Sequence, residues 1–182
     1  MKKKVFLFGL LFSLLLLCGC GVNLTSTVKL NKDLVTRVMS CTFSSRDFHM
    51  YFKGSKEDLN KLIKESCPDA LTYTSSSSDG NDTYTFYLRF SSLDDYKKKV
   101  RDLLNFSPEI TYEYGDSPFV SGLIYKENFT SKDLMTWLYT ALYEGKYIDK
   151  DSSSDLWDLK STEISFLGTT YETKDKINID EM

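Results

Sequence analysis

The chain is poor in the residues from which most catalytic and metal sites are built. It holds one histidine, His49. A multi-histidine zinc site is therefore excluded, and a Ser-His-Asp triad would have to use His49 without any Gly-x-Ser-x-Gly elbow to present the serine. His49 lies in an aromatic stretch with Phe48 and Tyr51, where a lone imidazole reads as a structural residue. There is no glycine-rich phosphate loop and no Gly-x-Gly-x-x-Gly fingerprint. Asp94-Asp95 is explained by a helix N-terminus, where the dipole favours acidic side chains. The nearest approach to a calcium loop is Asp149 to Asp155, with Ser154 where a glycine is needed and Lys160 where a bidentate glutamate belongs. We expect no catalytic residue, no metal and no cofactor. Positive charge is not in excess: the formal net charge is −3, which argues against the basic footprint that nucleic acid requires. After Leu17 no apolar run is long enough to span a membrane.

What is present is concentrated at the start. Lys2, Lys3 and Lys4 precede an uncharged run from Val5 to Leu17. That run is shorter than the roughly 20 residues a spanning helix needs, and it has no amphipathic face. A basic head, a short apolar run and small residues after it are the layout of a secretory signal peptide. The end of the run, Leu17-Cys18-Gly19-Cys20, resembles the bacterial lipobox, with an aliphatic residue at −3 and a small one at −1. The resemblance implies that Cys20 receives diacylglycerol and that cleavage falls just before it. Residues 1–19 are then the signal peptide and 20–182 a single extracytoplasmic domain, anchored rather than spanning. Each buried CH₂ of the acyl chains contributes about 0.8 kcal/mol. Losing the three lysines makes the mature chain more acidic, so no polybasic patch assists the anchor.

Of the four cysteines, Cys18 leaves with the signal and Cys20 takes the lipid. The remaining pair, Cys41 and Cys67, in an exported chain suggests a disulfide; two free thiols is the other reading.

Almost no tether follows Cys20. Leu24, Ser26, Val28 and Leu30 alternate with period two, Asn31-Lys-Asp33 signals a turn, and Val38 to Phe43 returns as a second strand with Cys41 and Phe43 on one face. Residues 43–54 fit either a short helix capped by Ser45 or a strand. Ser55 opens a helix with Asp58 completing a capping box; Leu59, Leu62 and Ile63 form its apolar face and Pro68 stops it. Leu71 to Tyr73 is a short strand, Ser75 to Asp82 a polar hairpin loop around Asp79-Gly80, and Thr83 to Phe90 a strand with Tyr84, Phe86, Leu88 and Phe90 on one side. A second helix begins at Ser92, with Tyr96, Val100, Leu103 and Leu104 inward. Ile110 to Tyr112 is extended, Gly115 to Pro118 is a turn, and Phe119 to Asn128 is extended again. Thr130 caps a third helix carrying Leu134, Trp137, Leu138 and Leu142, closed by Gly145. A polar loop follows, and 163–182 is a closing hairpin or the start of a further module. A helix leading through a proline into X-Thr-Tyr occurs twice, at Pro68 to Tyr73 and at Pro108 to Tyr112. The fold class is α+β: an antiparallel sheet built from hairpins, with about three helices on one face.

Aromatics make up 14% of the chain. Most fall at core positions; Tyr73, Tyr112, Tyr114 and Tyr125 are the candidates for an exposed ligand-binding set. A cysteine-anchored start that runs into an antiparallel hairpin resembles the LppM type of bacterial surface lipoprotein. This rests on the lipobox and the Leu24–Phe43 hairpin. It implies a non-enzymatic envelope role, host- or glycolipid-facing, and transfers no site residue. The expected function is an interaction or scaffolding domain, lipid-anchored at the extracytoplasmic face of the bacterial cell membrane, with an envelope protein or a glycan as partner. A cell-wall polymer or carbohydrate-binding module is the alternative.

Overall fold

Alternation with period two builds the first hairpin. In β1 (Val22–Leu30) and β2 (Thr36–Ser44) every second side chain is buried. The strands pair antiparallel with Leu24 opposite Cys41 and Ser26 opposite Met39, and β1 begins two positions after Cys20. The computed structural model describes residues 22–30, 36–45, 48–49, 52–104, 106–119, 121–148, 157–166, 169–173 and 178–181; Cys20, the Asn31-Lys-Asp33 turn and the Asp149–Asp155 loop lie outside them. Of the two readings of 43–54 the helix stands: Phe48 and His49 are helical, and the Phe52 N–H donates to the Phe48 carbonyl at 2.8 Å.

Helix α1 (Lys56–Ser66) starts at the expected capping box: Ser55 accepts from the Asp58 N–H, and the Asp58 carboxylate accepts from the Ser55 N–H. Strands β3 (Thr72–Ser78) and β4 (Asn81–Arg89) follow. The polar stretch expected as a loop is mostly strand. Pairing continues to Ser78 opposite Asn81, and only Asp79 and Gly80 turn, with φ of 50° and 74°. Two successive positive φ values make the turn whose twist matches the strands it joins, so the serines extend the ladder instead of interrupting it.

Helix α2 (Leu93–Leu103), capped by Ser92, precedes β5 (Ile110–Asp116) and β6 (Ser121–Glu127). The third helix is two pieces, α3 (Ser131–Leu134) and α4 (Thr136–Glu144). The break is at Met135, whose N–H donates to the Lys132 carbonyl at 3.1 Å. That tighter i→i−3 bond interrupts the helical ladder, and the adjacent Leu134 and Met135 are both buried. Strands β7 (Trp157–Phe166), β8 (Thr169–Thr173) and β9 (Asn178–Glu181) close the order.

The class is α+β, as expected, but the strands form two sheets rather than one. The first has the order β3-β4-β2-β1-β7-β8 and the second β5-β6-β9. Within the first, β7 runs parallel to β1, Val22 opposite Trp157; a parallel neighbour needs a long crossover, and the chain between the two strands provides it. The closing segment does form the expected hairpin, β7 with β8, while β9 pairs with β6. The twice-used helix–proline–strand corner has a physical counterpart: α1 leads into the β3–β4 hairpin and α2 into β5–β6, one hairpin in each sheet.

The core lies on one side of the first sheet. Tyr84, from that side, donates to the Asn60 side chain of α1 at 2.9 Å, and Phe86 meets Trp137 of α4 edge-on at 5.5 Å. Leu24, Met39, Leu59, Ile63, Val100 and Leu138 between them are fully buried. The suggested bridge is corrected here: Cys41 and Cys67 are both free thiols. Cys41 sits on the inward face of β2 between Leu24 and Tyr84, and Cys67 caps α1 with its thiol 3.9 Å from the Pro68 carbonyl. Burial pushes the Cys41 thiol far above its ordinary pKa, so it behaves as a small apolar side chain.

Candidate functional site

The inward alternation of β2 places Arg37 on the same face as Met39, Cys41 and Phe43, and Arg37 is fully buried. The alternation of β6 does the same for Leu123, Tyr125 and Glu127. The two charges meet: Arg37 Nη1 donates to Glu127 Oε2 at 2.6 Å. The same nitrogen donates to the Tyr96 hydroxyl at 2.9 Å, and Nη2 donates to the Ser131 hydroxyl at 2.7 Å. Tyr125 donates to Glu127 Oε1 at 2.5 Å, and Tyr96 donates to the same oxygen. The guanidinium lies 5.5 Å from the Phe129 ring centre. One cluster thus links β2 of the first sheet, β6 of the second, α2 and α3.

Burial works against the charge on Arg37, but Glu127 outweighs it and holds the guanidinium firmly protonated. Burial, then the Glu127 charge, pushes the Tyr96 and Tyr125 hydroxyls far up, so both remain donors. With Arg37, Tyr96 and Tyr125 closed to solvent, the cluster cannot reach a substrate. It acts as a polar strut between the sheets. Sequence reasoning missed Arg37, Tyr96, Glu127 and Ser131 as a group. The available signal was parity: one basic and one acidic residue, each on the inward phase of its strand.

The aromatic set is not brought together. Tyr125 is corrected as an exposed ligand contact, being fully buried with its hydroxyl on Glu127. Tyr112 is half-buried and edge-on to Tyr125 at 6.2 Å, and Tyr114 is half-buried on the same strand. Tyr73 lies in the other sheet, its ring 5.8 Å from Phe86, beside a shallow hollow lined by Asn60, Lys61 and Lys64. His49 is exposed, against Phe48. Among the described residues no group of three or more His, Cys, Asp or Glu could hold a metal.

Among the described residues, a groove and a sheet face offer the broader surfaces to a partner. The first is a groove of about 750 Å³ between α1, the end of α2 and the α3–α4 pair. Leu62, Leu103, Phe106, Trp137 and Ala141 give it an apolar lining, and Phe106 is 46% exposed. Asp102, Asp133 and Glu144 are its charged residues, with no cation among the described lining side chains. The Trp137 indole N–H, buried, has no hydrogen-bond partner.

The second is the outer face of the first sheet, opposite the helices. Across β1, β2, β4 and β3 the register aligns Asn23, Thr42, Thr83 and Ser76 in one row. The next row is Thr25, Ser40, Thr85 and Thr74, followed by Thr27, Val38, Tyr87 and Thr72. Ser40 and Thr85 hydroxyls hydrogen-bond across the strands at 3.1 Å, as do Thr42 and Thr83 at 3.0 Å. All of these residues are exposed or half-buried.

No family model, no curated protein and no solved structure matches the chain.

Proposed function

We propose that the protein is a non-enzymatic interaction domain, held at the extracytoplasmic face of a bacterial membrane by lipid on Cys20, and that its groove docks a basic, apolar segment of an envelope protein. The observation that carries this reading is the composition of the groove. It combines an exposed aromatic and a leucine-rich lining with three carboxylates and no cation among the described lining residues. Such a surface complements a segment that presents Lys or Arg beside apolar anchors, the arrangement in which charge sets partner choice and apolar burial sets affinity. The lipobox at Leu17 to Cys20 supports the anchoring. So does the start of β1 at Val22, which leaves no room for a tether and keeps the domain near the bilayer. No helix among the described residues is long and apolar enough to cross a membrane.

A fluorescence titration tests the docking. With Trp157→Phe, Trp137 becomes the sole tryptophan of the chain and reports on the groove. A synthetic Lys/Leu amphipathic peptide should shift its emission saturably, more strongly at low salt, and Asp102→Lys/Glu144→Lys should abolish the shift. Equal binding of a Glu/Leu peptide, or no saturable shift, overturns the proposal. For the anchor, fatty-acid labelling of cells should be lost in Cys20→Ala and kept in Cys18→Ala; loss in Cys18→Ala alone places the lipid on the wrong cysteine.

A further inference from the structure

The outer face of the first sheet is used neither by the groove nor by the buried cluster. Solvated faces of soluble domains carry charge of both signs, and 27% of this chain is charged. Across β1 to β4 the three aligned rows contain no charged side chain; charge stands only around them, at Lys29 and Arg89 in the next row and at Asp158 and Glu163 where the register continues onto β7. Strand propensity accounts for the threonines. It does not account for the serines, or for the lack of charge within these rows.

A hydroxyl both donates and accepts, so a field of hydroxyls suits a ligand that is itself made of hydroxyls. The Ser40–Thr85 and Thr42–Thr83 bonds orient the hydroxyls along the β2–β4 junction before any ligand arrives, which lowers the cost of ordering them on binding. Strands lie about 4.8 Å apart and alternate residues about 6.8 Å apart along a strand, so a four-strand row runs about 14 Å, long enough for several sugar rings. Beside the rows, Tyr87 supplies an aromatic surface for the apolar face of a sugar, with the Arg89 guanidinium 5.7 Å from its ring centre. The two hydroxyl rows offer a polyanion no cation of their own, since Lys29 and Arg89 stand beyond the Tyr87 row at one end of the face. An apolar partner would bury hydroxyls without replacing their hydrogen bonds with water.

We propose that the outer face of β1 to β4 binds an uncharged polysaccharide, lying across the strands on the two hydroxyl rows. The proposal rests on the extracytoplasmic placement above, where such polymers are met, and is independent of the groove. Affinity electrophoresis of the full chain in non-ionic detergent tests it, with soluble β-glucan, mannan or glycol chitin in the gel. At least one should retard the protein, equally at low and high salt, since no charge is involved. Thr25→Val/Thr85→Val keeps the branched shape and removes two hydroxyls of one row; it should weaken retardation about tenfold, the effect of losing two modest hydrogen bonds. Thr25→Lys/Thr85→Lys should abolish it, and the groove variant Asp102→Lys/Glu144→Lys should leave it intact. The proposal is overturned by no retardation with any of the three polymers, by retardation that salt removes, or by Val and Lys variants that run like the parent. A self-associated chain that the Val variant returns to monomer also overturns it, since a second copy then occupies the face. If the chain proves to carry no lipid but still shows the retardation, the sheet face stands and only the anchoring falls.

Discussion

The two faces of the first sheet share the same strands and differ in almost everything else. Successive residues of β2 alternate between them: Arg37, Met39, Cys41 and Phe43 inward, Thr36, Val38, Ser40 and Thr42 outward. The inward side packs against α1 to α4 and meets the second sheet, and even the one charge that β2 places there is matched by a carboxylate from another sheet. The outward set is uncharged, hydroxyl-rich and half-buried. Period-two geometry therefore lets one strand hold the fold with one side and offer a surface with the other. Changes on the inner side should act on stability much more than changes on the outer side.

The largest effect is expected at Arg37. Arg37→Met strands the Glu127 carboxylate among buried groups, and breaking such a pair costs about 3–5 kcal/mol. Urea unfolding of the variant should show that loss, and Arg37→Met/Glu127→Met should recover much of it. A single variant within experimental error of the parent would show the strut to be dispensable. Next comes Leu138→Ala on the α4 face over the same sheet. Leu138 is fully buried, and the cavity should cost about 2–5 kcal/mol, read from the same transition.

A smaller, pH-dependent effect belongs to Asp82 at the end of the inner face. Burial pushes its carboxyl up, but hydrogen bonds from Lys56 and Ser77 and the Lys56 charge outweigh this and hold it below the usual carboxylate value. Lys56 Nζ lies 2.5 Å from Asp82 Oδ2. The folded chain then binds fewer protons at this site than the unfolded one. Its contribution is complete above the ordinary aspartate pKa of about 3.9 and fades as pH falls through the lower folded value. Lys56→Met should flatten that part of the acid profile of the unfolding midpoint; an unchanged profile would remove the pair from the account. The smallest effect is on the outer side. Thr85→Val gives up the hydroxyl bond to Ser40 and should cost no more than about 1 kcal/mol, and a loss as large as that of Leu138→Ala would erase the contrast between the faces.

Much of this was legible in the sequence where periodicity is strong. The alternation of Leu24 to Leu30 and of Thr83 to Phe90, and the caps at Ser55, Ser92 and Thr130, correspond to the strands and helices observed. What did not show were the long-range facts. Nothing local says that β7 runs parallel to β1 or that β5 and β6 leave the first sheet, because pairing partners are set by tertiary packing. The serines of β3 read as a loop because serine is a turn residue in isolation, whereas the tight Asp79-Gly80 turn keeps them in register. The cysteine pair was read from export alone, and the position of Cys41 in the middle of the inner face separates it from that reasoning. The outer face was hidden for a different reason: its hydroxyl rows are assembled from four separate strands and exist only in the register.

The account turns on the claim that the outer face serves a ligand and not the fold. The most direct test is retardation of Thr25→Val/Thr85→Val by whichever neutral polysaccharide retards the parent, with the unfolding midpoint measured alongside. The expected loss is about tenfold, the cost of two hydrogen bonds to the polymer, with the midpoint lowered by no more than loss of the Ser40–Thr85 bond explains. Undiminished retardation, or a loss that comes with a midpoint falling as far as that of Leu138→Ala, contradicts it.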